Sequence, residues 1–376
     1  MIYLDYQATT PVAPAVAHAM APWIADHFAN PHSPSTEGRR ADAAIEVARG
    51  QVERLLVPST PAGGASSGRL AFTSGATEAL NWALKGTFEG SPRRKLVTIA
   101  TEHAAVLDSA DWLERQGVEV VRLPVGADGL VDLATVAAAI DDRTALVAAM
   151  LINNEIGVIQ PVADIARLAH AKGALMLCDA VQGFGRMPIP AGPDLIAISA
   201  HKIHGPKGIG ALWMRAGADP APLLHGGGQE KGLRSGTLSP ALCVGFGAAA
   251  MLAEDEMVAD AGHVERLWTA ARAALGPEWR LNGSADRRYY GNLNLSRPGL
   301  DAARLLSDCR DIAFSLGSAC ASGSGRPSHV LRALGLDARE VRGSIRLGFG
   351  RYTRAEELVE ACSRIEQSAQ SQRIAA

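Results

Sequence analysis

The chain has 376 residues, 47% of them hydrophobic and 20% charged, with a formal net charge of -2; this is enough apolar material for a sizeable core and more than one domain. The near balance of charge argues against a polyanion binder, so no direct nucleic-acid binding is expected. No apolar run approaches the ~18 residues of a membrane span, the start MIYLDYQATTPVAP lacks the order of a signal peptide, and five cysteines without zinc spacing fit a reducing, cytoplasmic compartment.

In chain order, helical periodicity is expected over residues 41–56, 77–86, 104–116 and 162–172. Apolar strands are expected over 70–73, 95–100, 144–151, 174–178 and 194–199. The last two strands read as continuously apolar, the pattern of strands covered on both faces. Such alternation predicts an α/β fold with a mainly parallel sheet and right-handed crossovers. Residues 58–68, PSTPAGGASSG, read as a surface loop. Near Met251 the pattern changes, with an acidic helical run over 252–261, and a domain boundary is expected there.

Several segments carry polar groups at strand ends. Ser74-Gly75-Ala76-Thr77-Glu78 follows the strand at 70–73 and opens a helix, which makes either a phosphate site or an ordinary capped helix start. Asp179 ends the strand at 174–178, with Gln182 three residues on; a carboxylate there faces the crevice of a parallel sheet, though a solvated loop aspartate reads the same. Ser199-Ala200-His201-Lys202 follows the next strand, with Gly205-Pro206-Lys207-Gly208 behind it. A lysine so held can form a Schiff base, where a lone lysine is usually a surface charge. The 225–237 segment is polar and glycine-rich, with His225, Arg234 and Thr237 embedded; a mobile linker is the alternative. Among the cysteines, Cys178, Cys243 and Cys362 sit in apolar or helical surroundings and read as packing, while Cys309 is ambiguous. Cys320 sits in Gly317-Ser318-Ala319-Cys320-Ala321-Ser322-Gly323, where a thiol is either an exposed nucleophile or an incidental loop residue.

Taken in order, these segments resemble the cysteine desulfurases, a branch of the class V aminotransferase-like pyridoxal-phosphate enzymes. The resemblance starts at Tyr3-Leu4-Asp5 and Ala8-Thr9-Thr10-Pro11. It continues through Asn30-Pro31, Gly75-Ala76-Thr77-Glu78, Glu102-His103, Asn153-Asn154-Glu155-Ile156-Gly157 and Asp179-Ala180-Val181-Gln182. The 199–202, 205–208, 225–230 and 234–237 segments follow. Gly317-Ser318-Ala319-Cys320, His329-Val330-Leu331 and Ser344-Ile345-Arg346-Leu347 complete it. The Cys320 segment is similar to the branch with the longer catalytic loop. Three positions depart from the commoner pattern: Gln7 stands where a smaller residue or Asn is usual, Ala29 where Gly is usual, and Gly348 where Ser is frequent.

The resemblance implies the pyridoxal-phosphate-dependent transferase fold type I. That is a mainly parallel seven-stranded sheet in a large domain, residues 14–250, plus a smaller α+β domain, residues 1–13 and 251–376, carrying the Cys320 loop. It implies that Lys202 holds the cofactor covalently and removes the substrate Cα proton. Asp179 pairs with the pyridine nitrogen, His103 stacks on the ring and exchanges protons, and Gln182 bonds the ring hydroxyl. Ala76, Thr77, Ser199 and His201 hold the phosphate, joined by Thr237 from the other subunit of a homodimer. Arg346, with Asn154 nearby, clamps the carboxylate of L-cysteine. Cys320 takes the sulfur as a persulfide and passes it to an acceptor protein, for iron–sulfur cluster assembly or other sulfur-containing products. Two other readings stay open: a different pyridoxal-phosphate reaction on the same fold, such as transamination or lyase chemistry, and a catalytically dead scaffold.

Overall fold

A computed structural model of the chain describes residues 1–56, 68–317 and 327–374. Most of the 58–68 stretch expected as a surface loop lies outside the described residues, as does Cys320. The strands begin with a short β1 (Ile2–Tyr3). A seven-stranded sheet then takes β2 (Gly68–Thr73), β3 (Lys95–Ile99), β4 (Glu119–Leu123), β5 (Thr144–Met150), β6 (Leu175–Asp179), β7 (Leu195–Ser199) and β8 (Gly210–Arg215). Its order is β2-β8-β7-β6-β5-β3-β4. Strands β4, β3, β5, β6 and β7 are parallel neighbours, and β8 runs against both of its neighbours.

The apolar strands look continuous in sequence because both faces are covered. Val147 and Ala149 of β5 pack into one core, with Met176 and Cys178 of β6. Leu146 and Ala148 pack into another on the opposite face, with Leu177. Adjacent residues of a strand point to opposite faces, so two cores demand an apolar residue at every position. Two strands of this sheet escaped the sequence pattern. Strand β4 is a sheet edge whose EVVRL is only partly buried. Strand β8 opens on glycine directly behind the polar Gly205–Gly208 loop, which masks it.

The expected helices form as Thr36–Leu56, Ala76–Phe88, Ala104–Arg115 and Val162–His170. The acidic run near 252 belongs to one 36-residue helix, Pro240–Leu275. Its Phe246, Ala249, Ala250 and Ala253 pack on the large-sheet core, while Leu267, Ala271 and Leu275 pack in a third core. That third core is covered by helix Ala355–Ile374 and by the short antiparallel strands β9 (Arg280–Leu281), β10 (Asn292–Ser296), β12 (Ser315–Leu316) and β13 (Ser344–Gly348), with β11 (Ile312–Ala313) beside β1. The small sheet runs β12-β13-β10-β9. The expected boundary at 250/251 falls inside the long helix, which passes from one core to the other without a break.

Candidate active site

Parallel strands place their C-terminal ends along one edge of the sheet, and in open α/β sheets ligands bind outside that edge. Here the ends of β2, β3, β5, β6 and β7 each hand over to a polar loop. Together with the N-terminal segment and β13 they enclose a cleft of about 630 Å³. Ala76, Thr77, His103, Asn154, Asp179, Gln182, Ser199, His201, Lys202 and Arg346 all line it. Thr237 does not; it is exposed on the 225–237 segment, where Arg234 of the same stretch pairs with the cleft residue Glu78 (Nε–Oε1 2.7 Å).

Asp179 is buried at the end of β6, and the Val181 amide donates to its Oδ1 at 3.0 Å. Burial raises its pKa, while the positive ends of His103 and Lys202 pull it back. A carboxylate in that position is stabilised by a cation placed against it. His103 caps helix Ala104–Arg115; the Ala105 amide donates to its Nδ1 at 3.1 Å, so in its neutral form the ring carries its proton on Nε2. Gln182 donates through Nε2 to the Gln7 carbonyl at 3.0 Å and accepts through Oε1 from Arg186.

Lys202 closes a single 3₁₀ turn, Ala200–Lys202, immediately after β7. Its Nζ donates to the carbonyls of Gln7 at 2.6 Å and Ala8 at 2.8 Å. His201 bonds Thr9 Oγ1 through Nδ1 at 3.1 Å, and burial with the nearby charge of Lys202 lowers its pKa to about 4. It is therefore neutral at physiological pH. Helix Ala76–Phe88 starts at Gly75 with no side-chain cap, so its first amides face the cleft beside Ser74 and Thr77 without a competing side chain.

Arg346 lies in β13, fully buried, and three of its five N–H groups are engaged: with Asn154 O at 2.9 Å, Asp5 Oδ1 at 2.5 Å and Ser315 Oγ at 3.2 Å. Its Nε is buried with no partner. An orphaned guanidinium N–H at a cleft wall is costly unless a ligand or water meets it.

Two of the sequence departures meet at this wall. A Cβ added to Gly348 would lie 1.8 Å from Gln7 Oε1 and 2.8 Å from the Tyr6 nitrogen. The larger side chain at 7 fills the space that the missing one at 348 leaves, and Gln7 Nε2 is tied to Gly291 O at 2.9 Å. Gly348→Ser is expected to lower stability by about 1–3 kcal/mol, the scale of an overpacked site. Adding Gln7→Ser should recover part of that loss in thermal unfolding; strictly additive effects would show that the two positions do not share the space.

The four described cysteines are all buried. Burial pushes the thiols of Cys243 and Cys362 up to about 12, and those of Cys178 and Cys309 above their ordinary value. They are poor sources of thiolate, and Cys309, ambiguous in sequence, sits in the third core. Cys320 lies outside the described residues. Ser328 donates to the buried Glu155 carboxylate (Oγ–Oε2 2.5 Å) and accepts from the Leu331 amide at 3.0 Å. His329 reaches the Glu102 carbonyl at 2.9 Å. Sequence reasoning assigned no role to Glu102, Glu155 or Arg186. Glu155 and Glu102 appeared only inside motifs, and the spacing of Arg186, four after Gln182, was the available signal.

Residues 2–360 match the class V aminotransferase family, and the chain belongs to it. Pyridoxal phosphate is the cofactor of that family, and the fold is its type I transferase fold. The chain is similar to the cysteine desulfurase IscS of Rickettsia bellii, 45% identical over 379 residues covering 97% of this chain and 91% of that one. The IscS of Rickettsia akari is 44% identical over the same shares. Among solved structures, a NifS-like protein superposes with a TM-score of 0.88 at 34% identity, covering 97% of this chain and 98% of that one. SspA, solved in complex with cysteine, superposes with a TM-score of 0.81 at 34% identity, covering 94% and 100%. Within the class V family, then, the chain falls among the cysteine desulfurases.

The residues present fit pyridoxal phosphate. Asp179 is a buried carboxylate of the kind that can pair with a protonated ring nitrogen, and an uncapped helix start with Ser199 and a neutral His201 suits a phosphate. Among the described residues no helix is long and apolar enough to cross a membrane.

Proposed function

We propose that the chain removes sulfur from L-cysteine, releases L-alanine and carries the sulfur as a persulfide on Cys320. The observation that carries this reading is the meeting of Lys202, Asp179, His103 and Arg346 in one cleft, in a chain whose relatives are cysteine desulfurases. Asp179 would hold the ring nitrogen protonated, Gln182 would donate to the ring hydroxyl, and His103 would stack on the ring. Ala76, Thr77, Ser199 and His201 would hold the phosphate. Bound there, pyridoxal phosphate supplies an electron sink for the charge left on Cα after deprotonation.

The other steps belong to the chain's own groups. Arg346 meets the substrate carboxylate, with Asn154 beside it, on a guanidinium already fixed by Asp5 and Ser315. Lys202 Nζ takes the Cα proton. The Cys320 thiolate attacks the substrate sulfur; the new S–S bond takes the place of the breaking C–S bond, and the electron pair left on carbon is protonated. One L-cysteine and one protein thiol become one L-alanine and one protein persulfide. The sulfur is oxidised and the substrate carbon reduced, so no outside oxidant is needed.

The chain works as a cytoplasmic homodimer in this reading. Thr237, exposed and outside its own cleft, reaches the phosphate of the second copy. The division of labour is 14–250 for cofactor binding, and 1–13 with 251–376 for carrying Cys320. A sulfur-acceptor protein then takes the persulfide, for iron–sulfur cluster assembly or other sulfur-containing products. The test is product analysis. Purified chain with pyridoxal phosphate, L-cysteine and a thiol reductant should yield alanine and sulfide in equal amounts. Amino-group transfer to a keto acid, with no sulfide from L-cysteine, would favour the transaminase reading instead.

A further inference from the structure

We infer that Arg186 is a positioning residue for the cofactor ring, acting through Gln182. The guanidinium lies between the two loops that bear the ring's partners. Its Nη1 donates to the Gln182 side-chain Oε1 and to the Gln182 carbonyl at 3.2 Å, and its Nη2 donates to the Lys202 carbonyl at 3.0 Å. Its other side rests over the Tyr289 ring, 5.0 Å from the centroid. The turn that delivers it needs Gly185, whose φ of 71° belongs to the left-handed region and whose added Cβ would lie 2.8 Å from Ile203.

The chemical consequence follows from the amide. An arginine can only donate, so it compels the oxygen of Gln182 to face it. The Nε2 group must then face the other way, where one hydrogen goes to the Gln7 carbonyl at 3.0 Å and the other remains for the cleft. Gln182 is thereby fixed as a donor, the polarity that a ring oxygen carrying negative charge requires. The same guanidinium holds the backbone of Lys202, so one side chain sets the spacing between the ring's hydroxyl partner and its covalent anchor.

This inference rests on the reading that Gln182 meets the ring hydroxyl, and the experiment separates the two. The holoenzyme, its Gln182→Ala, Arg186→Ala and Arg186→Met variants, and the double variant Gln182→Ala/Arg186→Ala are compared. The readouts are the pH midpoint of the visible absorbance and the rate of cofactor loss on dialysis. Methionine keeps apolar contact with Tyr289 and guards against a folding defect; Arg186→Lys tests rescue. Arg186→Ala and Arg186→Met should move the midpoint and speed cofactor loss by about tenfold, the scale of one charge-assisted hydrogen bond. Lysine should restore part of this, and the arginine change should add little once Gln182 is already alanine. Were Gln182→Ala to shift the midpoint while both arginine variants left it alone, the inference would fall and the Gln182 reading would stand. Were Gln182→Ala silent, the Gln182 reading itself would fall, and the route from Arg186 with it. Full additivity in the double variant would also overturn the inference.

Discussion

Cys320→Ser is expected to lower alanine formation from L-cysteine by on the order of 10³-fold or more, the scale that loss of a nucleophile costs in other enzymes. Cofactor binding and the spectral response to L-cysteine should survive. The groups proposed to bind cofactor and substrate, Lys202, Asp179, His103 and Arg346, line one cleft, and in the proposed reaction none of their steps uses the thiol. Only the attack on sulfur needs it, and a serine hydroxyl is far less ionised at neutral pH and a poorer match for sulfur. The four described cysteines give the internal control. Each is buried with its thiol pushed up, so conservative replacement of any one should leave turnover within a few-fold. A spectral titration beside an alanine assay separates binding from chemistry, and near-parental alanine from Cys320→Ser would remove the thiol from the reaction.

Lys202→Ala should abolish both covalent cofactor retention and turnover. In the parent chain, borohydride reduction followed by peptide mapping should place the cofactor on Lys202. The informative competitor is Lys207, which also lines the cleft. Lys202 follows β7 on a 3₁₀ turn braced by the Arg186 bond to its carbonyl, and its Nζ is held by two carbonyls. Lys207 lies in the exposed part of the loop. Lys207→Ala should therefore keep the covalent link, and cofactor found on Lys207 in the parent would overturn the assignment. Compared without cofactor, where the free Nζ bonds Gln7 and Ala8, the Lys202 variant should also lose those two bonds and loosen the N-terminal segment; faster proteolysis within residues 5–10 than in the cofactor-free parent would register that.

The large sheet was legible because burial on both faces writes a continuous apolar run into the sequence. β6 and β7 read in this way, and their polar C-terminal neighbours marked the crevice. The strands that were not read lack that signature: β4 is an edge with partial exposure, and β8 hides behind glycines. Most of the cleft lining was legible as strand-end motifs, since a parallel sheet converts sequence position into spatial convergence. What could not be read is the arrangement built by contacts between distant segments. The carbonyls of Gln7 and Ala8 lie 195 and 194 residues from Lys202, and the packing of Gln7 against Gly348 joins the two ends of the chain. Local pattern holds no information on such pairs. Arg186 was missed for a different reason: an arginine in a polar turn looks like a solvated charge until its acceptors are seen to be Gln182 and Lys202.

The sulfur itself gives the most direct test. The holoenzyme, treated with one equivalent of L-cysteine carrying labelled sulfur and no reductant, is quenched with a thiol-blocking reagent and mapped by mass spectrometry. The account predicts one labelled sulfur on the peptide containing Cys320, released by reductant, with alanine formed in equal amount. Labelled sulfur on any of Cys178, Cys243, Cys309 or Cys362, or alanine formed with no protein-bound sulfur, would contradict it.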